Sequence, residues 1–256
     1  MAVTCAECRD GKELPFAFKM AFQPIVDVAE HRVWGYEALV RGPEGESAHS
    51  VLSQLTDDQL YRFDQAARVM AIETAGKLFD DPRARLSINF MPNAVYEPRA
   101  CIQKSLQAAQ RANFPATNLM FEFTENERMS DPAHVENIVR TYKALGFWTA
   151  LDDFGAGYAG LSLLARLQPN LIKIDMELLR SIDRSHPRQV IVSALAAMAR
   201  ELDITLLAEG VESEAELTAL RAAGIRLFQG FYFARPGFMS LPPVAGLQPR
   251  EVSLAG

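Results

Sequence analysis

A chain of 256 residues, 49% hydrophobic and 23% charged, has enough apolar content for one large α/β core or two small ones, and its balance excludes a fibrous or disordered class. A net charge of −6 weighs against nucleic-acid binding through a basic surface, though not against a phosphate substrate, because clustered carboxylates can hold the divalent cations that attract phosphate. No stretch approaches the roughly 18 to 20 apolar residues of a membrane span, and no basic segment followed by an apolar run opens the chain, so a cytoplasmic protein without a DNA or membrane partner is expected.

The elements follow in chain order. Residues 1–17 form an N-terminal segment in which Cys5 and Cys8 make a single C-x-x-C, half of a typical zinc site. With Cys101 the cysteine count is odd and low, which fits a reducing compartment; the pair is either incidental or a metal or redox element. Apolar runs Phe18 to Val26 and Val33 to Val40, parted by Asp27, Glu30 and His31, predict an opening hairpin. A helix follows from Leu60, with Phe63, Ala67, Met70, Thr74 and Leu78 on its stripe. Short strands then alternate with helices: Leu86 to Ile88 before Arg99 to Arg111, and Leu119 to Phe123 before Pro132 to Leu145, where Asp131 can cap. Next come Trp148 to Leu151 before Leu161 to Leu167, and Leu171 to Ile174 before Pro187 to Leu202. Ile204 to Leu207 precedes Ser213 to Ala223, stopped by Gly224, and Arg226 to Phe228 is the last strand. Eight strands in βα alternation over residues 18–240, with 241–256 as a tail, predict a TIM-like (β/α)8 barrel whose first strand is antiparallel. An open doubly wound sheet is the alternative, disfavoured because no Gly-rich phosphate loop follows the first strand.

Polar residues fall at the C-terminal end of nearly every predicted strand: Glu37, Asn89, Glu122, Asp152 with Asp153, Lys173 with Asp175, Glu209 and Gln229. In such a barrel that rim carries the active site. Each residue singly could be a strand-end group bonded to a loop; the set on one rim reads as a binding site. Glu37, Asn89, Glu122, Asp152, Asp153 and Glu209 offer oxygen ligands only, and none of the four histidines lies at a strand end, which suits Mg2+ or Mn2+ rather than zinc. Six such groups exceed what one ion takes from protein, so two ions, bridged by the adjacent aspartates, and phosphoryl chemistry are expected. Lys173 either orients water and offsets phosphate charge or forms a structural ion pair with Asp175 or a nearby carboxylate. The stretch Asp153-Phe154-Gly155-Ala156-Gly157-Tyr158 can bend as a lid. A Mg2+-dependent enolising barrel with Lys173 as base is a competing reading, which the Asp152-Asp153 pair disfavours.

The series Phe22-Gln23-Pro24-Ile25, Glu37-Ala38-Leu39-Val40-Arg41, Phe121-Glu122-Phe123-Thr124-Glu125, Leu151-Asp152-Asp153-Phe154-Gly155, Ile172-Lys173-Ile174-Asp175, Ala208-Glu209-Gly210-Val211-Glu212 and Phe228-Gln229-Gly230 resembles the EAL-domain phosphodiesterases, in family order over about residues 18–238. The resemblance implies hydrolysis of cyclic di-GMP to linear pGpG by a two-metal mechanism, with the ribose 3′ oxygen leaving. It implies that Glu37, Asn89, Glu122 and Asp152 hold one Mg2+ or Mn2+, and that Asp152, Asp153 and Glu209 serve the second. Lys173 would position the attacking water, Gln229 would support the metal-water network, and Glu125 would brace the loop from Asp153. Gln23, Leu39, Arg41 and Asp175 would meet substrate, Arg41 through phosphate. A homodimer and a regulatory protein partner are further expectations. Two departures stand out: Phe90, Met91 and Pro92 follow Asn89 where many members have a small polar residue, and Ala159 with Gly160 replaces a pair of serines. That variant is similar to the branch found behind blue-light-sensing domains, some of whose members bind a protein instead of hydrolysing, so a cyclic di-GMP receptor or protein-binding regulator is the alternative function.

Overall fold

The computed structural model describes residues 14–124, 132–157, 160–244 and 246. Strands β1 (Lys19–Asp27) and β2 (Arg32–Arg41) form the expected antiparallel hairpin, turning through His31 at φ 50°. Strands β3 (Arg85–Asn89), β4 (Leu119–Thr124), β5 (Trp148–Phe154), β6 (Leu171–Ile174), β7 (Thr205–Ala208) and β8 (Leu227–Phe228) continue parallel from β2. Strand β1 pairs antiparallel with β8 as well as β2, and so closes an eight-stranded mixed barrel. A short β9 (Gly237–Phe238), with no counterpart in the sequence reading, lies against the first half of β1.

Helices α1 (Ala48–Leu52), α2 (Leu60–Leu78), α3 (Pro98–Cys101), α4 (Gln103–Arg111), α5 (Pro132–Ala144), α6 (Gly160–Leu167), α7 (Met176–Leu179), α8 (His186–Glu201) and α9 (Glu214–Ala222) coat the barrel. Local chemistry sets several ends. Ser213 caps α9 by accepting from the Glu216 N–H at 3.2 Å, and Gly224, at φ 94°, takes the left-handed turn that stops it. The single helix expected over 99–111 is two: Pro98 starts the first, and a break at fully buried Ile102 redirects the chain into α4. Residue Asp131, expected to cap α5, lies outside the described residues, as does the cysteine pair.

Two-residue periodicity divides the barrel interior into two levels. Inward-facing Ile25, Met120, Ala150, Leu171, Leu207 and Leu227, with Trp34, form an apolar plug at the N-terminal end. The Arg85 guanidinium stacks there 4.1 Å from the Trp148 ring centre and 5.1 Å from that of Trp34. Two residues further along β4 to β8, on the same inward face, stand Glu122, Asp152, Lys173, Glu209 and Gln229. The plug shuts one end of the barrel, leaving the polar level open only at the C-terminal rim. No helix among the described residues is long and apolar enough to cross a membrane.

Candidate metal centre and active site

Lys173 is the hub of the polar level. Its ammonium is 1% exposed and lies 2.8 Å from Glu209 Oε1, 2.9 Å from Glu122 Oε2, 3.1 Å from Asp152 Oδ1 and 3.4 Å from Glu37 Oε2. The ion pair with Asp175 considered from sequence does not form; Asp175 instead caps α7, accepting from the Glu177 N–H at 2.8 Å. The two carboxylate oxygens of Glu37 accept from Asn89 Nδ2 at 2.9 Å and Gln229 Nε2 at 2.8 Å, and Gln229 also donates to Gln23 Oε1 at 3.2 Å. Gln23 enters the site because β1 pairs it directly with Glu37, although it is not at a strand end.

Oxygen atoms of Glu37, Glu122 and Asp152 all lie within 4.8 Å of one another, and so do those of Asp152, Asp153 and Glu209. Asp152 belongs to both groups. Asp153 reaches its place at φ 55°, a left-handed conformation that costs a non-glycine residue energy and clusters at functional sites. Its own N–H donates to Asp152 Oδ1 at 2.9 Å.

Fully ionised, five carboxylates against one ammonium would leave four negative charges in a mostly buried space, and burial together with this repulsion sets the acid strengths. Burial pushes Glu122 up to about 8, with Glu37 and Asp152 adding to the rise against the pull of Lys173. Burial also drives Glu209 well above the usual carboxylate range. Glu37 is the exception: burial raises it, but Lys173 and the amides of Gln229 and Asn89 outweigh that and hold it low. Burial and then Asp152 push Asp153 up to about 6. Burial opposes the charge on Lys173, yet the surrounding carboxylates keep its pKa well above that of a free lysine. A stability consequence follows. Between the ordinary glutamate pKa and about 8, folded protein holds a proton on Glu122 that the unfolded chain has released, so stability of metal-free protein falls as pH rises through that window. Thermal melts in chelator should show Tm declining from about pH 5 to about pH 8, with added Mn2+ raising Tm most at the alkaline end, where it replaces the proton. A chelated protein whose Tm climbs throughout that range would contradict the charge assignment.

A cleft of about 460 Å3 opens over the carboxylates, lined by Gln23, Glu37, Asp153, Asp175, Glu209, Gln229 and Phe231 among others. Leu39 does not face it. Together with Asn89 it lines a neighbouring, larger apolar cavity of about 520 Å3, bounded by β2, β3, α1 and α2. Arg41, half-buried at the end of β2, donates to the Val40 carbonyl at 2.7 Å. Glu125 and residues 158–159 lie outside the described residues. Around Gln229 the chain is tightly stitched: the Val211 N–H donates to the Gln229 carbonyl at 3.1 Å and the Tyr232 N–H to the Val211 carbonyl at 3.0 Å. A Cβ on Gly230 would lie 2.1 Å from the Val211 carbonyl oxygen and 2.3 Å from its nitrogen. Gly230→Ala should therefore push Gln229 away from Glu37 and cost about 1–3 kcal/mol of stability. A melt indistinguishable from wild type would refute it.

One member of the site, Ser87, has no place in the sequence reading. Ser87, fully buried, donates through a short hydrogen bond to Glu122 Oε1. A hydroxyl two residues before Asn89, and therefore on the same face of β3, was the available signal. Glu212 lines the cleft but pairs with Arg180 at 2.6 Å on the rim.

Comparison with known proteins supplies the context. The family model described as "EAL domain" matches residues 16–236. The chain is 33% identical over 225 residues, 88% of its length, to the blue light- and temperature-regulated antirepressor BluF of Escherichia coli K12, covering 56% of that protein. It therefore spans little more than half of that relative, and less of several others. Relatives from Pseudomonas aeruginosa and E. coli, 29 to 38% identical over part or most of the chain, are named cyclic di-GMP phosphodiesterases. Among solved structures, a standalone EAL protein of Vibrio cholerae O395 in its c-di-GMP-bound form is 53% identical, with a TM-score of 0.87 over 91% of this chain and 97% of that one. A manganese and cyclic di-GMP complex of Klebsiella pneumoniae BlrP1 is 36% identical, with a TM-score of 0.82 over 89% of this chain and 58% of that one.

Proposed function

This chain belongs to the EAL domain family, and on that footing we propose that it is a metal-dependent phosphodiesterase converting cyclic di-GMP to linear pGpG. The observation that carries the reading is the intact cluster of Glu37, Glu122, Asp152, Asp153 and Glu209 around Lys173. Its four excess negative charges equal what two divalent cations bring, and its all-oxygen donor set suits Mg2+ or Mn2+. Glu37, Asn89, Glu122 and Asp152 would hold one ion; Asp152, Asp153 and Glu209 would hold the other. Two such ions, when bound, stabilise the attacking and leaving oxygens of an in-line displacement.

This chain's own groups supply the rest. The Lys173 ammonium, tied to four carboxylates, is positioned to hold an incoming water by donation and to balance charge as the phosphorus becomes more negative. Gln229, bonded to both Glu37 and Gln23, keeps the Glu37 carboxylate turned toward the cluster. Arg41 and Asp175, on opposite margins, would meet a phosphate and a hydrogen-bond donor of the dinucleotide, with Gln23 beside them. The plugged lower barrel confines reaction to the rim and keeps bulk water from the far side. Incubation of protein with cyclic di-GMP and either metal, followed by nucleotide chromatography, should give pGpG only when metal is present; intact cyclic dinucleotide under every metal would defeat the reading. The proposal includes a homodimer, which light scattering showing only monomer at high concentration would contradict.

The likeness to an antirepressor favours a second reading, a regulator that binds cyclic di-GMP or a protein without turnover. Tight nucleotide or protein binding by the unaltered chain, with no product, would select it.

A further inference from the structure

Asn89 is the one amide in the proposed ligand set, and the segment that follows it is fastened from outside the barrel. The Phe90 N–H donates to the backbone carbonyl of Glu122 at 2.9 Å. The Met91 N–H donates to Asp64 Oδ1 on α2 at 3.0 Å. The other Asp64 oxygen lies 2.5 Å from Arg68 Nη2, one turn further along α2. Arg68 is fully buried, donates through Nη1 to the Tyr142 hydroxyl on α5 at 3.1 Å, and lies over the rings of Phe90 and Phe121, 5.3 and 5.6 Å from their centres.

A charge pair sealed between helices and barrel is an expensive way to fill a core that apolar side chains could fill equally well. Asp64 and Arg68 reach none of the carboxylates of the cluster. What their contacts share is the Phe90-Met91 pair, through the Phe90 ring and the Met91 N–H, two of the three residues noted after Asn89. We propose that Asp64, Arg68 and Tyr142 form a positioning device for the metal centre: by holding the Met91 N–H and clamping the Phe90 ring, they fix the backbone of Asn89 and aim its amide at Glu37 and the first metal. None of the three is a catalytic residue; they act through Asn89. The inference rests on the metal-dependent reading above.

Two double variants of the full chain separate positioning from stability. Asp64→Asn with Arg68→Met removes both charges but keeps an acceptor for the Met91 N–H. Asp64→Leu with Arg68→Met removes the acceptor as well, at similar volume. Mn2+ affinity, read as free Mn2+ by electron paramagnetic resonance, should fall only a few-fold in the first, which keeps the Met91 acceptor but loses the guanidinium over Phe90. It should weaken by roughly 10- to 100-fold in the second, as losses of outer-shell partners do, at matching Tm. Equal Mn2+ affinity in the two, or a loss that only follows Tm, would overturn the proposal. Should both pairs fail to fold, Tyr142→Phe carries the test: weaker Mn2+ binding at unchanged Tm is expected, and unchanged binding overturns it. If wild type and Glu37→Ala bind Mn2+ alike, the metal centre itself is at fault and not the positioning.

Discussion

Replacing Lys173 by Met should abolish measurable hydrolysis and, in the absence of metal, strongly destabilise the protein. The substitution keeps most of the side chain's length but removes the ammonium that pairs with Glu37, Glu122, Asp152 and Glu209. Removing one partner of a buried charge pair costs about 3–5 kcal/mol, because the remaining charge is left uncompensated. Protonation of Glu122, already pushed up to about 8, relieves part of that at low pH, so the deficit in Tm should widen as pH rises. Added Mn2+ should recover much of the stability without recovering turnover, because metal replaces the lost charge but not the donor aimed at water. Losing one such preorganised donor typically costs about 10²- to 10³-fold in kcat. A Met variant that hydrolyses cyclic di-GMP normally would remove Lys173 from the mechanism.

The second large effect is expected at Glu37. Its carboxylate joins three neighbours, Asn89, Gln229 and Lys173, so Glu37→Ala removes a proposed metal ligand and unties the groups around it. kcat/KM should fall by about 10³-fold or more, equivalent to about 4 kcal/mol of transition-state stabilisation. Steady-state kinetics across a wide Mn2+ range checks this. Full recovery at high Mn2+ would mean that Glu37 contributes affinity alone, and normal turnover at low Mn2+ would sink the ligand assignment.

Much of the barrel and most of the rim were legible because each signal was local. Alternating apolar strands and helical stripes mark the βα units, and polar residues at nearly every strand end mark the rim. The period of two then places Glu122, Asp152, Lys173 and Glu209 on one inward face. The illegible parts depend on packing between distant segments. Asp64 and Arg68, four apart on a helix, have the spacing common to exposed ion pairs; only the approach of α5 and the Phe90 segment buries them. Leu39 sits two residues from Glu37 on the same strand, yet it borders the apolar cavity beside the carboxylate cleft. Strand β9 is two residues long and exists only because β1 has an edge to offer it. The break at Ile102 carries no proline or glycine to announce it. For Lys173, sequence left a choice between chemistry and a structural ion pair with Asp175 or a nearby carboxylate. The barrel closes around it with four carboxylates, none of them Asp175.

These carboxylates, with Asn89, are proposed to form a centre for two divalent ions. Anomalous diffraction from crystals grown with Mn2+ tests it most directly. Two peaks are expected, one among Glu37, Asn89, Glu122 and Asp152 and the other among Asp152, Asp153 and Glu209. Mn2+-saturated crystals without a peak inside this cluster would contradict the claim, and the hydrolysis built on it.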